Sequence, residues 1–329
     1  MVTIDFRAAV AEDLEALCAL HNRAETFDGV PRVLDLDEMR EDIDDERVVL
    51  ATDVRIALRD GELAGYTYTY YLPSAERLER CHVIGNVDPD HRGVGVGRAL
   101  LGWGMERATE QLRSSGNNLP KYVRVNSFDF IEPAHRLYRR MGFTPVRYFD
   151  ELLRPLDDLP APGQVAGVSI EPWPDDRDDE ILAVNNTAFA DHWGSVPLDA
   201  DRWHNAVRGF GSRLDLSFIA VDDASGDVVS FCLNKRYEAD DALNGRRDGS
   251  IEQLGTLAEW RGRGLASQLV IRSLHAFSAA GFTHAAIGVD SESPTGAARL
   301  YRQLGFEPLH RAIEYEIALD ASLNEPVVA

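Results

Sequence analysis

The sequence predicts an α/β (α+β) fold of two tandem domains, each a mixed β-sheet flanked by helices. Three observations lead there: a pair of segments recurs in each half, a proline- and glycine-rich stretch separates the halves, and both halves alternate short β-branched runs with amphipathic stretches. The first recurring segment is Val87-Asp-Pro-Asp-His-Arg-Gly-Val-Gly-Val-Gly-Arg-Ala-Leu-Leu101 against Leu257-Ala-Glu-Trp-Arg-Gly-Arg-Gly-Leu-Ala-Ser-Gln-Leu269. The second is His135-Arg-Leu-Tyr-Arg-Arg-Met-Gly-Phe143 against Ala298-Arg-Leu-Tyr-Arg-Gln-Leu-Gly-Phe306. The two segments lie slightly further apart in the first half, which fits a longer loop around Ser115–Pro120.

Each half reads in the same order. A short strand (Thr3 to Arg7; Val168 to Glu171) leads into a helix (Ala11 to Arg23; Asp179 to Ala190). Strands follow at Val48 to Leu58, Tyr66 to Leu72 and His82 to Val87, and again at Leu216 to Val221, Val228 to Lys235 and Ile251 to Leu257. After a glycine loop come a helix (Gly97 to Arg113; Leu265 to Ala280), a strand (Tyr122 to Val125; Ala285 to Val289), a helix (Ala134 to Arg140; Gly296 to Gln303) and a closing strand. Between the halves, Arg154 to Gly167 carries the prolines and glycines of an exposed extended connector. The expected domains are therefore residues 1–156 and 168–329, joined by a linker at 157–167.

Composition narrows the function. With 329 residues and 44% hydrophobic content, the chain can bury two ordinary cores. It has neither a long apolar run nor a secretory-type amino terminus, so a cytoplasmic protein with no membrane partner is expected. Cys18, Cys81 and Cys232 are isolated, which predicts buried free thiols and no metal site. A net charge of −21 weighs against nucleic acid as a partner and would attract an amine. The same charge also serves plain solubility.

Strand, Arg92-Gly-Val-Gly-Val-Gly97, helix is a turn almost bare of side chains, and its free backbone amides at a helix start suit a diphosphate. Arg92, Arg98, Arg261 and Arg263 could add charge-assisted bonds. Two other phosphate loops fail: G-x-x-x-x-G-K-[ST] is absent, and no G-x-G-x-x-G/A is completed from Gly93, Gly95 or Gly262. What both loops satisfy is R-x-x-G-x-G/A, through Arg92, Gly95 and Gly97 and through Arg261, Gly264 and Ala266.

This pattern, with the L-Y-x-x-x-G-F helix end downstream, resembles the coenzyme A site of the GNAT superfamily, and the resemblance covers nearly the whole chain as two copies. In layout the chain is similar to the mycothiol synthase family of tandem GNAT enzymes, in which the carboxy-terminal half does the chemistry. The stretch Asn186 to His192 is also similar to that family's second half; the likeness ends there, so the same acceptor is not implied.

The resemblance implies an N-acyltransferase, with acetyl-CoA or another acyl-CoA as co-substrate and a small-molecule amine as acceptor, acting as a monomer or homodimer. It implies coenzyme A binding by Leu257, Arg261, Gly262, Arg263, Gly264, Leu265 and Ala266, and in the first half by Val87, Arg92, Gly93, Gly95, Gly97 and Arg98. The oxyanion donor would be a backbone amide near Gly255 to Leu257, or Asn86 to Asp88. Tyr301 matches the tyrosine that protonates the departing thiolate, and Tyr138 is its counterpart. For the general base, Glu252 competes with Asp290, which could instead cap the loop ending in Pro294. His192 and Trp193 fall where the acceptor pocket forms in relatives, or else pack as a buried pair. The second half is expected to be the active one, because Asn126 to Pro133 places bulky apolar residues at the corresponding point of the first. Two other readings stay open: a non-catalytic acyl-CoA sensor or scaffold, and a different acyl carrier such as a carrier protein or aminoacyl-tRNA. For the last, Lys235, Arg236, Arg246 and Arg247 could offer a local basic patch.

Overall fold

The computed structural model describes residues 4–43, 47–74, 76–293 and 296–319; the expected residues Thr3 and Pro294 lie outside them. The chain forms two compact units. The first takes the described residues up to Arg147 and those from Ala312 onward, and the second runs from Tyr148 to Arg311.

In the first unit, β1 (Ile4–Ala8) precedes α1 (Leu14–Asp28), α2 (Leu36–Ile43) and a short α3 (Leu50–Asp53). Then come β2 (Val54–Arg59), β3 (Glu62–Leu72), β4 (Glu79–Val87), α4 (Val96–Ser114), β5 (Lys121–Phe128) and α5 (Glu132–Arg140). The expected strand from Val48 begins only at Val54. Its first residues wind into α3 because the buried Asp53 carboxylate accepts the Val49 N–H at 2.8 Å and pairs with Arg107 at 2.7 Å.

β6 (Thr144–Pro155) leads into the second unit: β7 (Val168–Pro172), α6 (Asp178–Ala188), α7 (Ala200–Arg208), β8 (Phe218–Asp222) and β9 (Val228–Lys235). α8 (Asp240–Asn244), β10 (Asp248–Thr256), α9 (Leu265–Ala279), β11 (His284–Asp290) and α10 (Ala297–Gln303) follow in it, and β12 (Glu307–Ala318) is the last strand of the chain. Apart from the closing strands, the strands of each unit pair antiparallel in sequence order except for one parallel pair, β4 with β5 and β10 with β11.

The closing strands depart from expectation. Ala312–Ala318 of β12 pairs with β5 of the first unit, while Phe149–Pro155 of β6 pairs with β11 of the second. Compactness therefore divides the chain at Arg147/Tyr148 and Arg311/Ala312, not at the proline-rich join. That join is not a free linker: Leu156 is buried, Leu159 and Val165 pack on the second unit's core, and Pro160 and Gly163 bond to His275 and Gln268 of α9. Its prolines give it extended shape, and its apolar residues dock it.

A shared device fixes the loop after each unit's first helix. The Asn22 amide donates to Leu34 O at 2.9 Å and accepts the Leu34 N–H at 2.8 Å. Asn186 does the same with Leu198, both at 2.9 Å. Each side chain stands in for a strand partner where none exists. All three cysteines are free and buried, as their spacing implied. No helix among the described residues is long and apolar enough to cross a membrane.

Candidate active site

The site begins where two parallel strands part. Pairing of β10 with β11 runs from Asp248/His284 only to Ile251/Ile287, and pairing of β4 with β5 stops at His82/Arg124. Beyond those points each sheet holds a gap. In the second unit alone of the two, the gap is sharpened by a register shift between Ile251 and Gln253 against β9, which leaves Glu252 as the extra residue of a bulge. The Leu257 N–H bonds to Val229 O at 3.0 Å, so by antiparallel alternation the amide of Gly255 also faces β9. The amides that face the gap are those of Leu254 and Thr256. The oxyanion donor expected near Gly255 to Leu257 is thus narrowed, with Gly255 and Leu257 committed elsewhere. In the first unit the Asp88 N–H is likewise taken, by Ala64 O at 3.0 Å.

The glycine loops follow. Gly93, Gly95, Gly262 and Gly264 have φ of 79°, 102°, 75° and 88°, and a Cβ at any of them would meet nothing within 4 Å. Backbone handedness, not crowding, requires glycine there. Gly95 and Gly264 are the N-caps of α4 and α9, without a side-chain cap and without an acidic residue in either first turn. The first intrahelical bonds are Ala99 N–H to Gly95 O and Gln268 N–H to Gly264 O, both at 3.1 Å. The amides of Val96, Gly97 and Arg98, and of Leu265, Ala266 and Ser267, therefore have no intrahelical acceptor. Those amides, the helix dipole and first turns that carry no acidic residue make a cradle that fits the diphosphate of coenzyme A. At Gly97 a Cβ would stand at an ordinary 3.5 Å from Leu137 and Val87, which explains why the other loop tolerates Ala266.

The two motif arginines are committed elsewhere. Arg92 donates to Val87 O at 3.0 Å and grips Asp28 with both guanidinium nitrogens, at 2.5 and 2.9 Å. Arg261 repeats this, donating to Thr256 O at 3.1 Å, to Ala188 O at 2.8 Å and to Asp191 at 2.8 Å. The expectation that they hold phosphate is corrected: they brace the loop against the first helix of the unit, and Asp191 is held below the usual carboxylate range by its bond to Arg261. Arg98 is exposed in the first turn of α4, and Arg263 is exposed beside the loop with its guanidinium 4.4 Å from the Trp260 ring. Those two remain available to a polyanion. Val87 ends β4 below its loop, and Leu257 directly follows β10 below the other. The basic patch envisaged for tRNA is neutralised in part, since Arg236 pairs with Asp241 and Arg246 with Asp248, each at 2.8 Å.

Tyr301 and Tyr138 occupy the same place on α10 and α5 and differ in what their hydroxyls meet. The Tyr138 hydroxyl donates to Asn126 O at 3.1 Å, whereas the Tyr301 hydroxyl has no hydrogen-bond partner among the described residues. Burial raises both phenols above the ordinary tyrosine range, so both stay protonated. Glu252 is exposed at the bulge, with Tyr237 Oη donating to it at 3.4 Å and Ser250 Oγ near at 3.5 Å. Asp290 is buried and accepts the Glu292 N–H at 3.0 Å, the capping role weighed against its candidacy as base. His192 and Trp193 are half-buried rather than core: the His192 ring lies 4.8 Å from Phe189 and Trp193 lies 6.4 Å from Phe149, at the β11 side of the gap.

The corresponding face of the first unit is filled by charge, which the sequence reading missed. His82 Nδ1 lies 3.6 Å from the buried Glu314, and the buried Arg124 pairs with Glu316 at 3.1 Å. Burial pushes Glu314 up to about 7 and His82 down to about 3, so in neutral solution the contact is not a full ion pair. Glu314 and Glu316 arrive on β12, and only the strand exchange brings them there. Phe128 and Phe130, stacked at 5.4 Å, add the bulk foreseen after β5.

A splayed parallel pair, a bulge, an amide cradle at a helix start and a buried tyrosine together define an acetyltransferase domain, and comparison with known families agrees for both halves. Residues 46–145 match the Acetyltransferase (GNAT) domain and residues 179–306 the Acetyltransferase (GNAT) family. A mycothiol acetyltransferase of Frankia alni is 32% identical over 321 residues, covering 83% of this chain and 91% of its own. One from Mycobacterium sp. (strain JLS) is 29% identical, covering 93% and 96%. The crystal structure of a GCN5-related N-acetyltransferase from Sphaerobacter thermophilus superposes with a TM-score of 0.74 at 26% identity, over 96% of this chain and 95% of that one. The chain belongs to the GNAT acetyltransferase family. It is an acetyl-CoA-dependent N-acetyltransferase of two such domains in tandem, with a small-molecule amine as acceptor.

Proposed function

We propose that acetyl transfer takes place in the second unit, with Glu252 as general base and Tyr301 as general acid, and that the acceptor is a mycothiol-type small-molecule amine. The observation that carries the assignment is the Tyr301 hydroxyl, which has no hydrogen-bond partner among the described residues, set against Tyr138, whose hydroxyl donates a hydrogen bond to a backbone carbonyl. Acetyl-CoA supplies an acetyl thioester, a carbonyl already activated toward nitrogen. The amides of Leu265, Ala266 and Ser267 and the Arg263 side chain hold its diphosphate, and Arg261 keeps that loop in place. Glu252 takes the ammonium proton, freeing the nitrogen lone pair to attack the carbonyl carbon. The Leu254 N–H faces the gap where charge collects on the carbonyl oxygen. As the carbon–sulfur bond breaks, Tyr301 gives its phenolic proton to sulfur. Its raised pKa keeps that proton on oxygen until then. The second nitrogen proton passes to the phenolate, which leaves a neutral amide and restores the tyrosine.

The acceptor class follows from the relatives' name, and the acidic net charge favours a cationic amine. The second unit is the one with a carboxylate on the bulge. We place the reaction in the cytoplasm, where acetyl-CoA is made available. Steady-state kinetics of Glu252→Gln test the assignment: kcat/KM for the amine should fall roughly 10²–10⁴-fold while acetyl-CoA affinity holds. Unchanged kcat/KM would remove Glu252 from the mechanism.

A further inference from the structure

Five glycines lie within strands of the described residues, and four are explained by crowding. A Cβ at Gly65, Gly85, Gly249 or Gly255 would come within 2.9, 2.2, 2.6 or 2.4 Å of a neighbouring atom. The fifth, Gly288 of β11, is unlike them. Its φ is ordinary, and a Cβ there would meet nothing within 4 Å. β11 is flanked on both sides, by β10 and β6, yet Gly288 is exposed. Neither backbone conformation nor packing asks for glycine at this position, and β-propensity argues against it. What remains is the space a side chain would fill.

That space lies at the reacting end of the gap. Ile287, immediately before Gly288, makes the last pair with β10 through Ile251, and Glu252 follows Ile251, so Glu252 and Gly288 are level where the strands part. Ala285, Ile287 and Val289 pack into the core with α9, so Gly288 looks out of the opposite face of the sheet. On its other side it is paired in register with Glu151 of β6, next but one to Phe149, whose ring meets Trp193. In the first unit the exposed residue just past the last pair with β4 is Asn126, in register with Glu314.

We propose that Gly288 is the specificity-determining residue for the acceptor: its missing side chain forms the floor on which the substrate's primary ammonium lies, between Glu252 and Glu151, with Phe149 and Trp193 as the outer wall. This rests on the assignment of transfer to the second unit. It identifies the acceptor as a compact cationic amine whose nitrogen carries no bulky substituent on the side facing the sheet.

The test is Gly288→Val, with glucosamine as the cationic probe and glucose as its neutral counterpart. Thermal unfolding, acetyl-CoA titration calorimetry and glucosamine binding by tryptophan fluorescence are compared with wild type. Expected are an equal or higher unfolding midpoint, unchanged acetyl-CoA affinity, and glucosamine binding weakened at least tenfold; Glu151→Gln should weaken glucosamine and leave glucose unaffected. A lowered midpoint would mean that packing needs the glycine and would overturn the proposal. Equal glucosamine binding by the valine variant, or no preference of wild type for glucosamine over glucose, would overturn it as well. Thiol release from acetyl-CoA separates the two claims. Amine binding that depends on Gly288 without any thiol release defeats the assignment of function and leaves this inference standing, and the reverse pattern does the opposite.

Discussion

Replacing each of the two equivalent tyrosines by phenylalanine should have opposite consequences. The Tyr301 ring is packed in the second unit's core, 6.1 Å from Phe306, and Phe preserves that contact. Its hydroxyl has no hydrogen-bond partner among the described residues, so removing it breaks none of the described bonds. Tyr301→Phe should therefore unfold at the same temperature as wild type. Its turnover should fall roughly 10²–10⁴-fold, which is about 3–5 kcal/mol of barrier, because no proton reaches the departing sulfur. Tyr138→Phe instead deletes a 3.1 Å bond to the Asn126 carbonyl, at a cost of about 0.5–1.5 kcal/mol of stability, and should turn over normally. Thiol release from acetyl-CoA and thermal unfolding on the same samples read both effects. A lower unfolding midpoint with unchanged turnover for Tyr301→Phe would show that the residue only packs, and the proposed chemistry would fall with it.

Arg261→Lys should raise KM for acetyl-CoA with little change in kcat, because a single ammonium cannot reach Thr256 O, Ala188 O and Asp191 together and the loop loses its brace; an unchanged KM would count against the bracing role. Glu314 predicts a pH-dependent stability. Its folded pKa of about 7 lies above the ordinary 4.5, so its favourable contribution is complete below pH 4.5 and is lost as pH rises through 7, about 3 kcal/mol in all. Glu314→Gln should match wild type in urea unfolding below pH 4.5 and exceed it above pH 7. A pH-independent difference would refute the burial argument.

Much of this architecture was legible because the chain states it twice. Two R-x-x-G-x-G/A loops, each followed by L-Y-x-x-x-G-F, fixed the order of elements around each site, and the strand Val228 to Lys235 falls where alternation put it. What escaped the sequence depends on pairing at a distance. Nothing local to residues 307–318 says that their second half completes the sheet of the first unit, so Glu314 and Glu316 could not be connected to His82 and Arg124. Arg92 and Arg261 were misread for the same reason: a cation in a phosphate loop suggests an anionic ligand, and Asp28 and Asp191 are remote in sequence. Glu252 was chosen by position on its strand, while the bulge that exposes it arises from a mismatch in length with β9. Gly288 drew no notice, because a glycine in a strand ordinarily marks weakness or crowding, and only the empty space above it says otherwise.

The central claim, that the second unit alone carries out acetyl transfer, is tested most directly by introducing a carboxylate into each amide cradle separately. Gly95→Asp and Gly264→Asp each set a negative charge at the start of a helix whose free amides would otherwise face a diphosphate, and because both glycines have a positive φ the two variants carry the same kind of backbone strain, so the difference between them reads the charge. Thiol release with a primary amine should persist in Gly95→Asp and disappear in Gly264→Asp. Loss of turnover in Gly95→Asp with full activity in Gly264→Asp would put the reaction in the first unit and contradict the account.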